Sequence, residues 1–121
     1  MEFKNTSAIY LQITEYICDR ILDKNWNAEH NIPSIREMAV TLEVNPNTIA
    51  RAYSYLEEQG IIYTQRGIGY FVTQGAYDRI VTLRRENFLK NELPTIFKTM
   101  SLLNISFNEL QNLRDAYENK Q

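Results

Sequence analysis

Isoleucines recur every four residues near the start of the chain, at Ile9, Ile13, Ile17 and Ile21, with mostly polar residues between them. That spacing predicts an amphipathic helix over about residues 7–24, beginning near Ser7. The pattern breaks over residues 25–31, and Ile32-Pro33-Ser34 reads as a short extended stretch ending in a helix N-cap. Ser34 followed three residues later by Glu37 is a capping-box sequence. A second helix is therefore expected to run to about Glu43, with Ile35, Met38, Ala39 and Leu42 as its apolar face. Val44-Asn45-Pro46 predicts a tight turn that places proline at the first position of a third helix, over residues 46–59. Gly60 supplies a left-handed residue to end it. Residues 61–65 and 70–73 are β-branched and aromatic, and Arg66-Gly67-Ile68-Gly69 joins them as a hairpin would. Two short helices around a tight turn, followed by a hairpin, make a winged helix-turn-helix. The expected fold class is mainly α with a small β-hairpin wing and a short α-helical tail.

The tail begins after Thr73. Residues 76–91 can form a helix with Ile80, Val81, Leu83 and Phe88 as apolar positions, and Leu93-Pro94 is expected to restart the chain. Leu93, Ile96, Phe97, Met100 and Leu103 then follow at helical spacing. Ser106 with Glu109 forms a second capping-box sequence, ahead of Phe107, Leu110, Leu113 and Tyr117. Two short helices cannot bury both stripes on each other. A second copy of the tail is the economical partner, giving a homodimer through Phe88, Leu93, Ile96, Phe97, Met100, Leu103, Leu110, Leu113 and Tyr117. Packing back on the winged domain is the alternative. The expected division is a winged helix-turn-helix domain over residues 1–75 and a dimerisation tail over 76–121.

The third helix carries the candidate chemistry. On a helical wheel Ile49, Ala52, Tyr53 and Leu56 share an arc of about 100°, an apolar wall. Asn47, Arg51 and Ser54 lie opposite, flanked by Thr48 and Tyr55. Their amide, guanidinium and hydroxyls can read base edges or grip phosphates in a major groove. A merely solvated face would normally be built from Glu and Lys, and this one has neither before Glu57.

Composition narrows the function. The chain has 121 residues, 44% hydrophobic and 23% charged, an ordinary globular balance. No apolar run exceeds four residues, whereas a membrane span needs about 20. No charged start leads into an apolar stretch of the signal-peptide kind. Cys18 is the single cysteine, which excludes an internal disulfide, and a cytoplasmic protein is expected. The net charge of −2 is not the basic excess usual in nucleic-acid binders. Residues 1–75 are more acidic still, with six Lys and Arg against nine Asp and Glu. Position matters more than the total. Glu15, Asp19 and Asp23 recur on one face of the first helix, whereas Arg36, Arg51 and Arg66 lie in three elements that a winged helix brings to one surface. The charge permits DNA binding without arguing for it.

Catalysis finds little support. His30 is the only histidine and lies in a loop beside no candidate nucleophile, and Cys18 sits among apolar neighbours as a core thiol. One histidine and one cysteine make no zinc cluster, and a metal site from Glu15, Asp19 and Asp23 is a remote alternative to a solvated face. Gly67-Ile68-Gly69 is a hairpin turn, not the strand-to-helix loop that cradles a dinucleotide. No enzyme activity, cofactor or metal is expected.

Several blocks, in order and in register over about residues 8–73, resemble the GntR family of bacterial regulators. They are Ile9-Tyr10-Leu11-Gln12-Ile13, residues 32–39, Val44-Asn45-Pro46-Asn47-Thr48-Ile49, Arg51-Ala52-Tyr53, residues 56–60 and the wing from Arg66 to Val72. The short helical tail resembles the YtrA-like branch, in which the large effector domain is missing. The resemblance implies a transcriptional regulator, taken as a repressor, that binds double-stranded operator DNA as a homodimer. It implies a phosphate contact for Ser34 and a base edge, guanine in the first instance, for Arg36. It implies that Asn45, Asn47 and Thr48 sit at the mouth of the major groove and that Arg66, Gly67, Ile68 and Gly69 approach the minor groove. Arg51 and Tyr55 complete the candidate DNA-binding set. The chain departs from the family at Ala50, where many members carry a contacting arginine, at Ile68, where a basic wing residue is common, and in residues 27–31, which lack Pro-Gly. Two alternatives stay open: a winged protein-interaction module, and a switch with an effector bound between the tails.

Overall fold

The helical spacing at the start of the chain becomes α1 (Ile9–Leu22), in which Ile13, Ile17 and Ile21 are buried. Ile9, first of the repeat, remains 45% exposed, so the buried stripe begins one turn later than the pattern suggests. The computed structural model describes residues 8–120; the expected start at Ser7 lies outside them. After α1 come β1 (Asn31–Ile32), α2 (Ile35–Leu42), α3 (Pro46–Glu58), β2 (Ile62–Gln65), β3 (Gly69–Val72), α4 (Ala76–Asn87), a π-helical turn (Phe88–Glu92), α5 (Leu93–Leu102) and α6 (Phe107–Glu118). No helix among the described residues is long and apolar enough to cross a membrane.

The chain forms two compact units, Met1–Thr82 and Leu83–Gln121. In the first, α3 packs on α1, α2 and β2. Its wall of Ile49, Ala52, Tyr53 and Leu56 is buried, together with Met38, Leu42, Ile61, Ile62 and Val72 from the elements around it. Ala76 and Ile80 of α4 belong to this core, as does Cys18, a small apolar filler here. The hairpin gains a strand the periodicity did not show. β1 pairs antiparallel with β3, Asn31 opposite Phe71 and Ile32 opposite Tyr70, giving a three-stranded sheet in the order β1-β3-β2. Two residues are too few to display alternation, and the pairing is extended outside the strand by Val72 N–H to His30 O at 3.0 Å and Glu29 N–H to Val72 O at 2.8 Å. The loop before β1 turns through left-handed Lys24 (φ 66°) and Glu29 (φ 70°) without a glycine. His30, exposed, stacks on Trp26 with ring centroids 6.0 Å apart.

The α2 cap forms in full. Ser34 Oγ accepts from Glu37 N–H at 3.1 Å, and Glu37 Oε1 accepts from Ser34 N–H at 3.0 Å. The Ser34 N–H, foremost, and the Ser34 hydroxyl beside it hold the Glu37 carboxyl below its ordinary range. Tyr53 anchors the other side of the core. Its hydroxyl donates to Pro33 O at 2.6 Å, and its ring meets Tyr70 edge-on at 4.8 Å. Burial, with Tyr70 and Glu37 adding to it, pushes the phenol far above its ordinary pKa, so it remains a donor at every working pH.

In the second unit, α4 does not stop for a fresh start at Pro94. The chain passes through the π-helical turn directly into α5, with Leu93 N–H donating to the Phe88 carbonyl five residues back. A proline ring obstructs the ordinary four-residue register and brings no N–H, and the wider turn just before Pro94 accommodates it. Ser106 Oγ accepts from Glu109 N–H at 3.1 Å at the start of α6. Neither α5 nor α6 holds a buried residue.

Two outcomes follow from the anchors. Tyr53→Phe should cost about 1–2 kcal/mol of unfolding free energy, because the Pro33 carbonyl loses its donor inside the fold; denaturant titration of the full chain measures it. Glu37 has a lowered native pKa, so its contribution is present above the ordinary carboxylate pKa and is lost as pH falls from there through the lowered native one. The stability gap between wild type and Glu37→Gln should therefore be widest near neutrality and close in acid, read from melting curves taken across pH.

Candidate nucleic-acid interface

The polar face of α3 is built by its N-terminus. The turn from α2 passes through Glu43 in the left-handed conformation (φ 57°), and Asn45 caps α3, its Oδ1 accepting from Asn47 N–H at 2.7 Å. That bond uses the amide oxygen and leaves the Asn45 NH2 donors free to face outward. Ser34 is placed likewise at the exposed start of α2, its hydroxyl accepting from the Glu37 N–H. Arg36 is exposed in the first turn of the same helix.

Asn47, Thr48 and Arg51 come together. With Ala8, Ile9 and Tyr10 they line an open groove of about 360 Å³ between the start of α1 and the first turns of α3. Among the described residues no acidic side chain lines it, and the Arg51 guanidinium is the charged group there. Arg51 Cζ stands 3.9 Å above the centre of the Tyr10 ring. Tyr55, one turn further along α3, meets the same ring edge-on at 6.5 Å. Amide, hydroxyl and guanidinium donors thus share one concave surface, the equipment needed to meet phosphate oxygens and base acceptors.

The wing presents the remaining candidates. Gln65 and Gly69 are the last paired residues of the hairpin, and Arg66, Gly67 and Ile68 form its exposed tip, closed by Ile68 N–H to Gln65 O at 2.9 Å. Gly67 has φ 78°. Gly69 is favoured by its φ of 145°, and a Cβ there would crowd the Asn31 side-chain amide at 3.2 Å. Ile68 is 66% exposed, so an apolar side chain crowns the tip. Arg36 and Arg66 line no part of the α1–α3 groove.

Sequence reasoning missed Tyr10. It flanks the apolar repeat of α1 and is half-buried, and its partner Arg51 lies far along the chain, so no local spacing links them. The one signal was its place within the resembling block at residues 9–13.

The tail residues form a separate surface. Phe97 is 53% and Leu103 64% exposed; Phe88, Ile96, Leu110, Leu113 and Tyr117 are also exposed, and Leu93 and Met100 are half-buried. Leu102, outside the predicted stripes, and Phe107, at the head of the second, are exposed as well.

A family model described as bacterial regulatory proteins, gntR family, matches residues 9–72. An uncharacterized HTH-type transcriptional regulator of Bacillus subtilis (strain 168), YhcF, is 37% identical over 109 residues, covering 90% of this chain and 88% of the relative. The HTH-type transcriptional repressor YtrA of the same organism is 35% identical over 78 residues, 64% of this chain and 60% of its own. A crystal structure of a GntR-family transcriptional regulator from Bacteroides thetaiotaomicron superposes with a TM-score of 0.82 at 45% identity, covering 94% of this chain and 99% of that one.

The exposed guanidinium of Arg36 has a distinct expected signature. Arg36→Ala should relax preference at one base position per half-site, at a cost of about 1–3 kcal/mol. Titration of base-substituted duplexes checks this; an equal loss on every sequence would assign Arg36 to phosphate.

Proposed function

Because the chain belongs to the GntR family of bacterial regulatory proteins and is a DNA-binding transcriptional regulator rather than an enzyme, we propose that it is a repressor that acts in the cytoplasm as a homodimer on a near-palindromic operator. The observation that carries the operator reading is the groove of Asn47, Thr48 and Arg51, a donor surface at the exposed end of a helix whose other side is core. In this reading α3 enters the major groove, Ser34 and Asn45 grip the backbone on either side of the turn, and the wing tip from Arg66 to Gly69 follows the adjacent minor groove. The similarity to YtrA, named as a repressor, supports the sign of regulation.

The homodimer rests on the tail. Apolar side chains of this size exposed along α5 and α6 cost free energy in water, and a second copy offers the same stripe for mutual burial. A two-fold dimer presents its recognition helices in inverted orientation, which is why the operator should be a near-palindrome. In this reading residues 1–75 supply the contacts to DNA and residues 76–121 the dimer.

Phe97→Arg combined with Leu103→Arg tests both halves of the proposal. Both side chains are largely exposed within one chain, so the fold should persist. Sedimentation should show dimer mass for wild type and monomer mass for the variant. Operator affinity should fall by about 10²–10⁴, the loss of joining two weak sites. A variant that keeps dimer mass and full affinity would remove the tail from the interface.

A further inference from the structure

Resting on the operator reading above, we propose that Tyr10 is a positioning residue for DNA binding: its ring holds the Arg51 guanidinium in place for the nucleic acid. The distance of 3.9 Å from Arg51 Cζ to the ring centre is van der Waals contact between a cation and an aromatic face. An arginine stacked in this way is restrained about its long side chain, yet its N–H donors point outward from the edge of the guanidinium and stay free. An unrestrained arginine loses that freedom only on binding, at the expense of affinity.

The ring is itself fixed. Tyr55 meets it edge-on at 6.5 Å and 70°. The first turn of α1, which carries it, is tied by Thr14 Oγ1 donating to Tyr10 O at 2.9 Å. Tyr10 therefore sits between Arg51 and Tyr55 of the recognition helix while belonging to a different element. The restrained guanidinium shares its groove with Asn47 and Thr48, so holding it also fixes its register against the two neighbouring donors. The first turn of α1 thereby becomes part of the binding apparatus without supplying a DNA contact of its own.

The experiment uses the full chain and the duplex it selects from a random library. Tyr10→Phe keeps the aromatic face and should bind within about two-fold of wild type. Tyr10→Leu removes the face and should weaken binding about five-fold, while in an Arg51→Ala background the same change should add less than about two-fold. In the free protein, the Arg51 Nε–H resonance should carry a ring-current shift that survives in Tyr10→Phe and vanishes in Tyr10→Leu. If Tyr10→Leu melts early, Tyr10→Met, which retains bulk against Tyr55, takes its place in the same cycle. Equal losses for Tyr10→Phe and Tyr10→Leu would overturn the proposal in favour of a direct hydroxyl contact, and additive losses in the double variant would overturn it in favour of independent action. Failure of wild type to select any duplex would defeat the operator reading itself, whereas normal wild-type binding with either of those results defeats only the role of Tyr10.

Discussion

The Tyr53 hydroxyl donates to the Pro33 carbonyl from a side chain with no exposed surface. Pro33 lies between β1 and the Ser34 cap of α2, Tyr53 is on α3, and the Tyr70 ring that meets it edge-on is on β3 opposite Ile32. One tyrosine thus fixes the angle between the two helices of the helix-turn-helix and the seat of the sheet beneath them. The constraint is strong because the donor's side chain is buried, so the bond cannot be lost without opening the core around Tyr53. Each feature of the groove, from the Asn45 cap to the placement of Arg51, depends on α3 being held at that angle.

What the sequence made legible was what adjacent residues decide. Ser34 and Glu37 announce a capping box by type and spacing, Pro46 announces a helix start, and Ile49, Tyr53 and Leu56 announce a buried wall; all are found in place. The features that escaped are decided at a distance or by backbone detail. β1 is a strand only because β3 lies beside it. The π-helical turn is a response to Pro94 that no hydrophobic period encodes. In the candidate site, Asn47, Thr48 and Arg51 were visible as one helical face, but the ring that holds Arg51 comes from another helix and required the tertiary structure.

The net charge of −2 is easier to understand with the groove in place. Glu15 and Asp19 lie about 140° and 180° around α1 from Tyr10, so the acidic residues of that helix are turned away from the surface to which Tyr10 belongs. Local composition, not the total, sets the potential that a phosphate meets. A chain with little bulk attraction to DNA gains less from arbitrary duplexes and depends more on specific contacts.

The division of α3 into a buried side and an outward side has an evolutionary consequence. Asn47, Arg51 and Ser54 are exposed and contribute nothing to the core, while Ile49, Ala52, Tyr53 and Leu56 make none of the outward surface. Substitutions on the outward side are therefore close to neutral for folding, and the DNA sequence read by such a helix can drift by single steps while the scaffold persists. The exception is position 51, where a change also strands an aromatic ring on α1. That pairing makes it the slowest of the outward positions to diverge, and lineages that do change it should change position 10 with it.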